Sequence, residues 1–176
     1  AVMIRKVTEA VTDMADMKAG ALIAIERTTK LGDQIITGTV IDAEVSTHLI
    51  KNIFFNKAPL HDGALIIRGT RLYAAGCLLP LSMNTDIIKD LGTRHRAAIG
   101  LSENSDAIVI VVSEETGIIS TAFEGRLTRN HTSSTLITEL ESRLIDEHSN
   151  GGKRGIRKLR IAAGHNKKNS RSATRR

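Results

Sequence analysis

Three short polar strings stand out in this chain, each where an apolar segment gives way to a loop or a helix. The first is His61-Asp62-Gly63-Ala64. An imidazole beside a carboxylate supplies two donors that can both reach a divalent cation. Gly63 has no side chain to obstruct a ligand nearing the backbone. Taken alone, Asp-Gly ahead of a strand is most often just a turn. The second string, Thr93-Arg94-His95-Arg96, packs two guanidinium groups and an imidazole behind Gly92. Guanidinium forks match phosphate oxygens in pairs, and a helix starting there adds free N–H groups to the same anion site. The third string, Ser113-Glu114-Glu115-Thr116-Gly117, ends the most apolar segment. Adjacent carboxylates in such a place commonly mark a solvated hairpin. They can also supply a further acidic metal ligand, since Mg2+ or Mn2+ typically takes one or two carboxylates plus substrate phosphate.

Together the strings form the toolkit of metal-assisted phosphoryl or nucleotidyl transfer, in which positioning and charge neutralisation do most of the catalysis. No P-loop lysine motif and no Gly-x-Gly-x-x-Gly occurs. A P-loop nucleotide hydrolase and a Rossmann dehydrogenase are thereby excluded.

The elements that must position these groups follow from hydrophobic spacing. Ile4, Val7, Val11, Met14 and Met17 recur every three or four residues and predict a helix over 2–17. Gly20-Ala-Leu-Ile-Ala-Ile25 reads as a buried strand, and Gly32-Asp33 as a turn. Asp42 is suited to cap a helix carrying Val45, Leu49, Ile53 and Phe54. Ala64–Ile67 and Arg71–Ala75, joined by a tight turn, read as a hairpin. A loop at Leu79-Pro-Leu-Ser82 leads to a helix ending near Gly92, and a further helical segment covers 96–101. Strands are predicted at 107–112 and 118–123, with a last helix over 133–147 whose inner face holds Leu136, Leu140, Leu144 and Ile145. Hairpins mixed with helical connections predict an α/β (α+β-like) fold, a central mixed, twisted sheet flanked by helices.

Composition narrows the class. With 41% hydrophobic residues in 176, the chain can bury a core. No apolar run approaches the roughly 20 residues that span a bilayer. Cys77 is the only cysteine, so no disulfide forms within the chain. The formal charge of +6 is unevenly spread: residues 151–176 hold 10 of the 25 Lys and Arg and no acid. The first 150 residues therefore carry 15 basic against 19 acidic groups, a net of −4. The expected organisation is one domain over 1–150 and a basic, flexible tail over 151–176, suited to nucleic acid or an anionic membrane surface but most simply read as solvated.

Ala58-Pro-Leu-His-Asp-Gly-Ala64 resembles the Asp-Gly-Ala motif of diadenylate cyclase domains, and Leu91-Gly-Thr-Arg-His-Arg-Ala-Ala98 their Arg-His-Arg motif. Gly20-Ala-Leu-Ile, Leu79-Pro-Leu-Ser and Val112-Ser-Glu-Glu-Thr-Gly117 match in order and spacing, so the resemblance runs from about residue 3 to residue 147. It is strongest to the membrane-anchored housekeeping branch. It implies the diadenylate cyclase domain fold and a metal-dependent condensation of two ATP into cyclic di-AMP and two pyrophosphates. His61, Asp62 and Glu115 are implied as metal ligands, with Mn2+ or Mg2+, or else Co2+, as the cofactor. Asp62, Arg94 and Arg96 are implied as catalytic. Gly63, Ala64, Leu79, Thr93, His95 and Ser113 join both arginines around the nucleotide. Thr128-Arg129 stands where the family usually has His-Arg, which leaves that loop without an assigned phosphate contact.

The resemblance further implies a face-to-face homodimer, a regulatory protein partner, and a longer parent held at the cytoplasmic face of the cell membrane by an N-terminal segment. Two rival readings remain. One is a nucleotide-binding sensor without catalysis. The other is a nucleic-acid-binding domain, which three Phe, one Tyr and no Trp leave without a stacking platform for bases.

Overall fold

The computed structural model describes residues 1–86 and 91–145. Five helices and seven strands alternate along these residues. They run α1 (Val2–Asp16), β1 (Ala21–Glu26), α2 (Gly32–Ile36), β2 (Thr39–Glu44), α3 (Thr47–Ile53), β3 (Ala64–Arg68), β4 (Arg71–Cys77), α4 (Thr93–Asn104), β5 (Ile108–Val112), β6 (Ile119–Phe123), β7 (Arg126–Thr128) and α5 (Ser133–Leu144). The sheet order is β2-β4-β3-β1-β5-β6-β7. Among the described residues only β1 and β3 pair in parallel; the other five pairings are antiparallel. The mixed sheet expected from sequence is present.

Helices cover both faces of the sheet, which explains why its central strands are apolar throughout rather than alternating. On one face α1, α3 and α5 pack against Ile23, Ile25, Leu65, Ile67, Ile108, Ile110 and Val112. On the other, α2 and α4 cover Leu22, Ala24, Ala64, Ile66, Val109 and Val111. The α4 face is lined by small residues, Ala97 and Ala98 on the helix and Ala64, Ala74 and Ala122 on the strands, so the helix comes close to the sheet. Among the described residues no helix is long and apolar enough to cross a membrane.

Several sequence expectations change. Asp42 does not cap a helix: it lies within edge strand β2, at a register break, with a φ of 47° and its carboxylate 2.5 Å from Arg71 Nε. The cap of α3 is Ser46, whose hydroxyl accepts from the Leu49 N–H, because its side chain is the polar group one residue before the helix. Gly32 and Asp33 begin α2 instead of a turn. The segment read as helical from 96 starts three residues earlier, at Thr93. Strand β7 went unread, since three residues give no periodicity. Met17 and Ile145, expected on inner helix faces, are exposed because each lies just past the end of its helix. The expected last turn of the final helix and the basic tail fall outside the described residues, as do 87–90 within the helix expected before Gly92.

The pole of the sheet away from the polar strings is closed by Glu26. Its nearly inaccessible carboxylate accepts from Arg68 Nε and Nη2, Lys30 Nζ and the Leu31 N–H. Burial raises its pKa, but these bonds outweigh that and hold it below the usual carboxylate value. Arg68 also stacks 4.1 Å from the Tyr73 ring centroid.

Candidate active site

Strand direction explains where the polar strings meet. Because β1 and β3 are parallel, their N-terminal ends share one pole of the sheet. Their antiparallel neighbours β5 and β4 bring their C-terminal ends to the same pole. His61-Asp62-Gly63 therefore arrives ahead of β3, Leu78-Leu79 after β4, and Ser113-Glu114-Glu115 after β5. The start of α4 delivers Thr93 and Arg94 from the face above. These residues line one open cavity of about 680 Å³, within the range that holds a nucleotide-sized ligand.

Of the expected site residues, His61, Asp62, Gly63, Leu79, Thr93, Arg94, His95, Ser113 and Glu115 line this cavity. Ala64 does not: it is fully buried among the packing of α4 and the sheet. Arg96 does not either. It sits one residue past His95 on α4, its carbonyl accepts from the Ser82 N–H, and its Nε is buried without a partner among the described residues. Gly63 is required for a reason other than ligand access. Its φ is +103°, and a Cβ there would lie 2.8 Å from Gly76 C and 2.9 Å from Cys77 O. The close approach of β4 and the left-handed backbone both demand glycine.

His61 Nδ1 is 2.7 Å from the Ala58 carbonyl oxygen. A carbonyl only accepts, so Nδ1 carries a proton, and in the neutral ring this leaves the Nε2 lone pair for a ligand, the tautomer usual for a metal-ligating histidine. Asp62 is exposed beside it. Among the described residues no three His, Cys, Asp or Glu side chains converge into a ready-made metal cage. Glu115 lines the cavity without joining His61 and Asp62 in such a group. An imidazole with a free lone pair next to a carboxylate fits a cation that takes its remaining ligands from phosphate and water.

Another part of the lining is positive. Arg94, in the first turn of α4, places Nη1 2.9 Å from Glu114 Oε2. Arg129, from the loop left without an expected contact, also lines the cavity and makes no ion pair among the described residues. Arg94, Arg129 and the N–H groups opening α4 give this part of the lining a positive character suited to an anion. His95 is buried beneath it, and its Nε2 has no hydrogen-bond partner among the described residues. Burial foremost, then the charges of Arg129 and Arg94, lower its pKa and hold it neutral. Leu22, Leu79, Leu81, Leu91 and Val112 supply apolar surface. Cys77 forms part of the floor, and burial raises its thiol pKa to about 11, so it is an inert wall.

Arg129 and Glu114 are the charged lining residues to which the sequence assigned no individual role. Glu114 lay within a quoted motif, but only the β1–β5 register brings it to Arg94. Arg129 follows a three-residue strand that has no periodic signal.

A family model described as DisA bacterial checkpoint controller nucleotide-binding matches residues 8–127. The chain is 49% identical over 139 residues to the Bacillus subtilis protein named cyclic di-AMP synthase CdaA, covering 79% of this chain and 51% of that protein. It is 47% identical over 128 residues to the diadenylate cyclase of Listeria monocytogenes, covering 73% and 47%. The chain thus spans about half the length of these curated relatives. Among solved structures, a double mutant of DacA from Staphylococcus aureus superposes with a TM-score of 0.79 at 46% identity, over 81% of this chain and 95% of that one. A Bacillus cereus structure described as a hypothetical membrane spanning protein gives 0.70 at 44%, over 72% and 62%. With two thirds of its residues inside that family model, and its sheet shared with a relative at 46% identity, the chain belongs to the DisA nucleotide-binding family of diadenylate cyclase (DAC) domains.

Proposed function

We propose that this domain condenses two ATP molecules into cyclic di-AMP and two pyrophosphates. The observation that carries the reading is that one cavity is lined both by the metal-fitting His61–Asp62 pair and by Arg94, Arg129 and the start of α4. A hydroxyl-activating carboxylate and a phosphate cradle sharing one cavity are what nucleotidyl transfer requires.

In this reading Thr93, Arg94 and the first N–H groups of α4 hold the triphosphate. Leu79 and Ser113 border the adenine. Asp62 accepts the proton of the ribose 3′-hydroxyl. The freed oxygen forms a bond to the α-phosphorus of a second ATP, and the bond from that phosphorus to the bridging oxygen breaks, releasing pyrophosphate. Repeating the transfer in the other direction closes the ring. His61 through Nε2, with Asp62 and Glu115, would hold divalent metal, Mg2+ or Mn2+. Such an ion supplies Lewis-acid neutralisation of charge developing on the phosphate oxygens. The phosphate contact of Arg96 rests on the resemblance alone. Because one site binds one reacting nucleotide, the working unit is two copies of the chain face to face.

Incubation with ATP and Mn2+ or Mg2+, followed by mass analysis of the nucleotides, tests the reading. Cyclic di-AMP and pyrophosphate are expected. Bound ATP without product would instead favour the sensor reading. Asp62→Asn should retain fold and ATP binding while turnover falls at least 100-fold, a loss in the range for general acid–base groups. Near-normal product from that variant would remove Asp62 from the chemistry.

A further inference from the structure

The Gly20-Ala-Leu-Ile string carries no role in the mechanism above, yet its first residue lies against the phosphate wall. Gly20 precedes β1, and the pairing of Ala21 with Val112 sets it beside the Ser113-Glu114 corner. A Cβ built on Gly20 would lie 2.5 Å from Arg94 Nη1, 2.7 Å from Cζ and 3.1 Å from Nη2. All three of its near neighbours belong to one guanidinium, so the end of Arg94 occupies the space that a side chain on Gly20 would fill. The same Nη1 meets Glu114 Oε2 at 2.9 Å.

We propose that Gly20 and Glu114 together form a seat that positions Arg94 for the nucleotide phosphates: Gly20 fixes the height of the guanidinium plane, and Glu114 fixes its rotation. Both are positioning residues acting through Arg94. The seat is needed because an arginine side chain has many rotamers, and holding it in one before binding removes that ordering cost from the encounter with ATP. Three features favour a seat over a fold-stabilising contact. Gly20 has no left-handed backbone that would demand glycine by itself. Its crowded neighbour is the movable end of a long side chain, so a methyl group there displaces the guanidinium without disturbing the strand. Glu114 is 65% exposed, where an ion pair adds little to stability. The inference rests on reading the cavity as an ATP site, and it concerns what prepares that site.

The experiment measures the ATP Kd and, in the nucleotide-free protein, the mobility of the Arg94 Nε–Hε group by heteronuclear NMR, that resonance being assigned by its loss in Arg94→Ala. Gly20→Ala should leave the melting temperature within a few degrees and weaken ATP about tenfold. It should also turn the Arg94 resonance from rigid to mobile or move it. Glu114→Ala should act in the same direction, with Glu114→Gln recovering part of the affinity because the acceptor is kept. In an Arg94→Ala background, Gly20→Ala should add nothing, since the group it displaces is gone. Unchanged Kd and an unchanged resonance in Gly20→Ala would overturn the seat. So would a tenfold loss that persists in Arg94→Ala, or tighter ATP binding in Glu114→Ala, which would make that carboxylate a competitor of phosphate. Failure of the unsubstituted protein to make cyclic di-AMP would overturn the functional reading alone, because the resonance reports the seat without turnover.

Discussion

Arg94 touches more of the proposed chemistry than any other residue: it lies on Gly20, meets Glu114 and faces the cavity. Removing one charge-assisted contact to phosphate costs about 1.5–3 kcal/mol, roughly 10- to 150-fold in Kd. Arg94→Ala should weaken ATP by that factor in a nucleotide titration, and binding as tight as the parent's would reduce the cluster to a surface turn. A second expectation concerns acid. His95 and His131 are held below the usual imidazole pKa, chiefly by burial. Below about pH 6.5 the unfolded chain takes up protons at these positions that the folded chain refuses, so stability falls as pH drops through that region. Glu26 adds nothing in this window. Its lowered pKa means that its contribution is present above the ordinary carboxylate value of 4.5 and is lost below it. Urea midpoints at pH 7.5 and 5.5 should differ, lower at the acid end; equal midpoints would show that neither imidazole is disfavoured by the fold.

Among the elements, α4 decides whether the site exists, because it carries Thr93, Arg94 and His95 to the pole and packs on the sheet through small residues. Gly100 sets its position. A Cβ there would fall on the Pro80 carbonyl oxygen and within 2.7 Å of Ser82 N. Both obstacles are backbone, so Gly100→Ala should destabilise the fold by about 1–3 kcal/mol, despite the better helix propensity of alanine. Thermal unfolding would read the loss, and a raised melting temperature would mean that the Leu79–Ser82 loop yields. The elements also show what a sequence can carry. Helix α1 and strands β3, β4 and β5 were legible because they are buried along one face or throughout. Strand β2 was not. It is an edge strand with exposed Val40 and a left-handed Asp42, and an aspartate before an apolar series looks locally like a helix cap. The motif residues His61, Asp62 and Arg94 were visible as polar interruptions. Glu114 as a partner of Arg94, and Arg129 as lining, depend on contacts that no local pattern encodes.

In the proposed reading each chain supplies one nucleotide site, in the cavity at the open pole of the described residues. If two copies must meet, specific activity should fall on dilution below their dissociation constant. Mixing in excess Asp62→Asn protein should cause the linear product with one new phosphodiester to accumulate. Constant specific activity over a wide dilution series, with no linear product, would mean that one chain completes both transfers.

The one parallel pairing has a consequence in time. Strand β1 lies between β3 and β5, yet it is made before either. Its hydrogen bonds to β3 must span from Ile23 to Leu65 and those to β5 from Ala21 to Val112, whereas β3–β4 and β5–β6 are local hairpins that close quickly. The apolar Ala21–Ile25 segment therefore depends on two long-range pairings for its flanks. Pairing of β1 unites the two halves of the sheet, and the same pairing sets Gly20 beside Arg94. In the proposed reading, then, the central strand and the nucleotide site share the same long-range pairings, and a chain that binds ATP has its central strand in place.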